Sequence, residues 1–138
     1  MTTALNGLKV LDFSTLLPGP FATMYLADMG AEVIHIESPS RPDLIRIMPP
    51  YANGQATAHS YLNRNKQSIV LDLKDKASID LIKAKISEFD IVIEQFRPDV
   101  MRRLGLDYAT LAEINPRLIY CSITGYGQTG QYRNRAGH

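Results

Sequence analysis

Polar and basic residues recur just after the apolar runs of this chain: Asn65 and Lys66, Lys74, Arg97, Arg103, then Arg133 and Arg135. Any one of these cations reads as a solvated rim charge. Their recurrence at predicted loop ends says more, because an open α/β sheet binds ligands at the carboxyl ends of its strands. Cations there, together with loop N–H groups, suit a phosphate-bearing ligand. No Walker-type Gly-x-x-x-x-Gly-Lys-[Ser/Thr] is present, which argues against an NTPase. The second chemical feature is the last stretch. A β-branched and apolar run, Leu118 to Ile123, leads into Gly125, Gly127 and Gly130, then Arg133, Arg135, Gly137 and His138. A histidine beside such a loop can serve as an acid/base group, because its pKa lies near working pH; spacing alone favours a non-catalytic histidine. Meeting this loop at the chain's end reads as the front part of a larger enzyme cut at its active site. His35, His59 and His138 have no ligand spacing among themselves or with Cys121, so no metal site is expected. His35 alternates with Ile34 and Ile36 and reads as structural.

The elements that must position these groups follow from pattern. Leu8 to Phe13 reads as a buried strand and Ser14 to Pro20 as a loop, because Pro18-Gly19-Pro20 interrupts regular structure. Phe21 to Met29 reads as a helix closed by Gly30, and Val33 to Ile36 as the next strand, ending at Glu37. This βαβ unit is like the opening of a dinucleotide-binding fold, with Glu37 about where a ribose-binding acid would lie. The loop has one glycine between prolines and lacks Gly-x-Gly-x-x-Gly, which disfavours NAD. Residues 38–58, with four prolines, read as an irregular connection. Ser68 to Leu73 is the next strand. Asp75 or Ser78 caps a helix reaching Phe89, with Ile79, Ile82, Ile86 and Phe89 on its core face. Ile91 to Ile93 is a strand, Val100 to Leu104 a helical turn closed by Gly105, and Asp107 to Ile114 a helix stopped by Pro116. Strands alternate with helices throughout, so the class is α/β with a mainly parallel sheet, in one domain over 1–138.

Bulk properties narrow the partners. The 138 residues suffice for one domain with a core. A net charge of +1 offers no reason to expect nucleic acid or a membrane surface. The single cysteine, Cys121, allows no intrachain disulfide. The N-terminus has no basic-then-apolar signal pattern, and no apolar run is long enough to span a bilayer. A cytoplasmic enzyme is the expectation.

Several stretches together carry a more specific resemblance. They include Leu5-Asn6-Gly7-Leu8-Lys9-Val10-Leu11-Asp12, Pro18-Gly19-Pro20 and Leu26-Ala27-Asp28-Met29-Gly30-Ala31-Glu32-Val33-Ile34. Further on come Asn63-Arg64-Asn65-Lys66-Gln67-Ser68, Glu94-Gln95-Phe96-Arg97-Pro98, Arg103-Leu104-Gly105-Leu106 and Asn115-Pro116-Arg117-Leu118, then Gly125-Tyr126-Gly127-Gln128-Thr129-Gly130. The chain resembles the family III CoA-transferases, the group that also contains the α-methylacyl-CoA racemases. The resemblance implies a Rossmann-like domain, a smaller second domain contributed by further chain, and a homodimer interlocked as linked rings. It implies a CoA thioester as substrate, with no tightly bound cofactor. It places CoA along Leu16 and Leu17, at Leu71, Asp72, Leu73 and Lys74, at Gln95, Phe96 and Arg97, at Arg103, and at Gly137. Where many relatives carry an arginine beside the adenine this chain has Ser38, and Arg41 stands in from the same loop. Ala136-Gly137-His138 looks like the racemase subgroup, in which the histidine exchanges the α-proton of a 2-methylacyl-CoA and a downstream aspartate serves the opposite face. In the transferases a downstream aspartate instead forms an acyl anhydride and then an enzyme thioester. The leading expectation is therefore epimerisation with His138 as the catalytic group. CoA transfer between carboxylic acids is the alternative, and a non-catalytic CoA-binding module the third. By itself the chain is expected to be inactive.

Overall fold

The computed structural model describes residues 3–137. In chain order its elements are β1 (Lys9–Asp12), α1 (Pro18–Asp28), β2 (Glu32–Glu37), β3 (Tyr51–Ala52), β4 (Gln55–Ala56), α2 (Thr57–Leu62), β5 (Gln67–Val70), α3 (Lys76–Lys85), β6 (Ile91–Glu94), α4 (Val100–Leu104), α5 (Tyr108–Ile114) and β7 (Ile119–Ser122). Five of these strands form one sheet in the order β5-β2-β1-β6-β7, and every neighbouring pair is parallel. The chain winds outward from β1 through β2 to β5, then crosses back to β6 and β7. This is the doubly wound, Rossmann-like arrangement, and the expected class holds.

The two faces of the sheet separate by the period of two along each strand. Leu11, Ile36 and Val92 point to one face and join Ile82, Ile86 and Phe89 of the α3 segment, Met101 of α4 and Leu111 of α5. Val10, Val33 and Ile93 point to the other face, under Ala27 of α1. Asp12 and His35 continue that second face and lie side by side in the β1–β2 register. The stripe Ile79-Ile82-Ile86-Phe89 is core, as its spacing predicts.

Local signals act as expected at several ends. The Asp75 carboxylate accepts from the Ala77 N–H at 3.2 Å and starts α3. Gly105, at φ +69°, closes α4.

Two expectations are corrected. Helix α1 begins at Pro18, so Pro18-Gly19-Pro20 is its first turn and not the end of a loop. A helix's first N–H groups have no partner within the helix, so two prolines cost nothing there. The stretch 38–58 is more ordered than its prolines imply. It holds a 3-10 turn at Leu44–Ile47, the antiparallel ribbon β3–β4, and the start of α2. Ile45 from that turn packs with Met24 and Leu62 into a third small cluster, which ties the segment to α1.

Candidate functional site

All five parallel strands bring their carboxyl ends to one edge of the sheet. At β1 and β6 the connections leave in opposite directions, which opens a crevice between neighbouring strand ends. One wall is the turn after β1, residues 14–19; the other is the segment after β6, residues 95–98. Gln95 joins them: its Nε2 donates to the Thr15 carbonyl at 2.6 Å, and its Oε1 accepts from the Gly19 N–H at 3.1 Å. The approach at residue 19 requires glycine. A Cβ there would lie 2.1 Å from Ser14 Cβ and 2.8 Å from Gln95 Oε1.

The N–H groups of the first wall are largely committed inside the protein. Ser14 N–H goes to Asp12 Oδ1, Leu16 N–H to the Asp43 carboxylate, and Gly19 N–H to Gln95. Residues 18 and 20 are prolines and have none. This turn is therefore not the phosphate cradle of a dinucleotide-binding fold. Glu37 is equally unavailable to a ribose, because Arg46 grips it through Nε and Nη2 and Ser68 donates a third hydrogen bond. The Arg46 guanidinium foremost, against the cost of desolvation, holds the Glu37 carboxyl down at about 2.

Between the end of β1 and helix α1 lies a buried polar cluster that sequence reasoning missed. Asp12 is fully buried at the end of β1. It accepts from the Ser14 hydroxyl at 2.5 Å and the Thr23 hydroxyl at 2.6 Å. His35 Nδ1 and Lys66 Nζ each lie 3.5 Å from its Oδ2, contacts that are electrostatic and too long for good hydrogen bonds. Burial acts to raise the Asp12 pKa, but His35 and the two hydroxyl donors outweigh it and hold the carboxyl below its ordinary value. Lys66 is a correction: its side chain is only 1 % exposed. It donates to the Pro20 carbonyl and to Asn63 Oδ1, so it is not part of a solvated rim. Burial lowers its pKa, opposed by Asp12 and Asp43. The available signal was an aspartate inside an apolar strand run, since such a group demands partners. At the end of β6 a second buried carboxyl, Glu94, accepts from the Phe96 N–H at 2.8 Å. Burial raises its pKa, against hydrogen bonds from Ser122 and Phe96.

The residues singled out in the sequence distribute unevenly around this edge. Gln95, Phe96, Arg97 and Gly137 line one groove of about 380 Å³ together with Pro18 and Tyr126. A neighbouring cavity of about 290 Å³ is lined by Glu94, Asp99, Tyr108 and Tyr120. Arg97 and Arg133 border both. Arg133 is already tied to Asp99 at 2.7 Å, and Arg135 lies over the Tyr132 ring. Leu16 and Leu17 belong to the first wall, and Leu17 is 60 % exposed. Leu71, Asp72, Leu73 and Lys74 follow β5 on the same sheet edge, two strands from β1. Leu71 and Leu73 pack against the core, and Asp72 Oδ1 accepts from the Lys74 N–H. Arg41 and Arg103 are exposed, and line neither cavity. His138 lies outside the described residues.

Comparison with known proteins supplies the family. The model of CoA-transferase family III matches residues 5–138. The human succinyl-CoA:glutarate CoA-transferase is 44% identical over 135 residues, 97% of this chain and 31% of its own length. The acetyl-CoA:oxalate CoA-transferase of Acetobacter aceti is 47% identical over 125 residues, 91% of this chain and 32% of its own. A CAIB/BAIF family protein from Brucella suis superposes with a TM-score of 0.92 at 41% identity, covering 100% of this chain and 38% of that one. The chain thus spans about a third of the length of these relatives. The parallel sheet, the switch-point crevice and a match over nearly every residue agree: the chain belongs to CoA-transferase family III.

Proposed function

We propose that the protein carrying this chain transfers CoA between carboxylic acids, and that this chain supplies the crevice holding the CoA thioester. Gln95 is the observation that carries the reading. By bonding to Thr15 and Gly19 it shapes a preformed crevice at the topological switch point, the place where this fold class takes its ligands. Pro18, Phe96, Ile123 and Tyr126 make the adjoining groove largely apolar, with Arg97 at its border. That combination suits a long, partly apolar thioester bearing phosphates. CoA enters as substrate, and no tightly held cofactor is part of the proposal. A homodimer, interlocked as the sequence resemblance implies, is part of it, and sedimentation of the native protein reads the dimer mass.

Epimerisation led the sequence reading, on the strength of Ala136-Gly137-His138. The names of the relatives support transfer instead. Succinyl-CoA:glutarate, acetyl-CoA:oxalate and succinyl-CoA L-malate transferases all match. Those names also favour a short dicarboxylic acid as acceptor.

The test uses the native protein carrying this chain. One reaction contains succinyl-CoA and glutarate, and mass spectrometry follows new thioesters. A second contains one epimer of a 2-methylacyl-CoA in deuterated water. Formation of glutaryl-CoA without α-deuterium in the second reaction is the expected result. Deuterium uptake with epimerisation, lost in His138→Ala and unaccompanied by any new thioester, would replace transfer by racemisation. CoA binding with neither reaction would leave a binding module.

A further inference from the structure

Leu16 adopts φ +62°. Side chains other than glycine, asparagine and aspartate rarely take this left-handed conformation, and where they do a surrounding structure must impose it. Here the imposing group is visible. The Asp43 carboxylate accepts from the Leu16 N–H through both oxygens, at 3.0 and 3.2 Å, across 27 residues of sequence. Asp43 is 5 % exposed. It cannot yield easily, because its own segment is anchored twice. Ile45 is buried against Met24 and Leu62, and Arg46 grips Glu37 at the end of β2. The second strand's connection is thus braced on β2 and reaches over to hold the first strand's turn. From the other side Gln95 holds the carbonyl of Thr15. The one peptide group between Thr15 and Leu16 is therefore pinned at both ends, its C=O by Gln95 and its N–H by Asp43, side chains from different connections, and the exposed Leu17 follows directly.

We infer that Asp43 is a positioning residue for the ligand crevice: it locks Leu16 in the left-handed conformation, and so fixes how the Leu16–Leu17 turn faces a bound CoA thioester. The role rests on the transferase reading above. Asp43 also accepts from the Ile45 N–H at 3.1 Å and caps its own 3-10 turn, so loss of stability alone does not establish a role in binding.

The experiment is a double-mutant cycle in the native protein with Asp43→Ala, Leu16→Gly and both together. Three quantities are read: amide exchange at Leu16 without ligand, thermal midpoint, and CoA affinity by calorimetry. Removing the charged acceptor should accelerate Leu16 exchange and weaken CoA binding about tenfold. Glycine takes φ +62° without help, so in the Leu16→Gly background the same substitution should weaken CoA binding by no more than about twofold. The change in thermal midpoint should be similar in both backgrounds, because the 3-10 cap is lost in each. An equal loss of CoA affinity in both backgrounds would overturn the inference, as would a wild-type Leu16 amide that exchanges freely. If Asp43→Ala does not fold, Asp43→Asn, which keeps one acceptor oxygen, replaces it. Because the remaining oxygen can still accept from Leu16, that variant is read through the cycle: an equal loss of CoA affinity from Asp43→Asn in the Leu16 and Leu16→Gly backgrounds would overturn the clamp as well. Absence of CoA binding by the wild-type protein would sink the transferase reading and the positioning role with it. Exchange at Leu16 still reports the clamp separately in that case.

Discussion

The residues that shape the crevice are mostly charged or amide side chains whose partners lie far away in sequence. Lys66 shows the consequence. Its ammonium is buried beside a fully buried carboxylate, and removing one member of such a pair strands the other. Lys66→Met should destabilise the fold by about 3 kcal/mol in urea titration. A cost below about 1 kcal/mol would mean that His35, Ser14 and Thr23 suffice to satisfy Asp12. Glu37 sets a pH dependence. Its folded pKa of about 2 lies below the ordinary 4.5, so the folded state favours the ionised form. That contribution is complete above pH 4.5 and is lost as pH falls from there towards 2. Because Arg46 is 41% exposed, solvent screening limits it to about 1 kcal/mol. Glu37→Gln should remove this part of the acid sensitivity, read as a flatter stability curve between those pH values. An unchanged curve would assign the acid sensitivity to other carboxyls. The types of these residues are plain in the sequence, but their pairing is not. An exposed lysine and a buried one are spelled the same way.

At the scale of elements, α1 and its entry carry the site. The helix starts on Pro18, Gly19 faces Ser14 and Gln95 without room for a side chain, and Thr23 reaches back to Asp12. Gly19→Ala forces a methyl group against Ser14 Cβ and should cost about 3 kcal/mol through overpacking. It should also loosen the Gln95 bridge. Thermal unfolding measures the first effect, and weakened CoA binding the second. A variant as stable as wild type would show that the turn can open without penalty. The helices and strands themselves were legible because their signals are local: the Asp75 cap, Gly105 after α4, and the apolar stripe of α3. The errors fell where local signals conflict. Pro-Gly-Pro reads as a break, yet it fits a first helical turn. The prolines of 38–58 hide a short turn and ribbon whose order comes from Ile45 in the core and Arg46 on Glu37.

For the molecule as a whole, sheet order governs stability and access. Strand β1 is flanked by β2 and β6, and three of its four residues are buried. Strand β5 lies at an edge and all four of its residues are exposed. Hydrogen exchange should therefore release the Gln67–Val70 amides well before those of Lys9–Asp12. Equal protection would mean that another element covers the outer edge of β5 in the native protein.

The sequence by itself determined the α/β class, most helix and strand positions, the apolar core stripe and the family. These depend on short-range periodicity, capping residues and a set of motifs in register. Only the tertiary structure decided which strand ends face each other across the crevice. Gln95 meets Thr15 across 80 residues, Lys66 meets Pro20 across 46, and Asp43 meets Leu16 across 27. The first follows from β6 lying beside β1, which requires the chain to cross back over its own sheet, and the other two from the order β5-β2-β1. No periodicity within one element encodes which strands become neighbours, so the buried polar cluster, the clamp on Leu16 and the Gln95 bridge emerge only once the layers have packed.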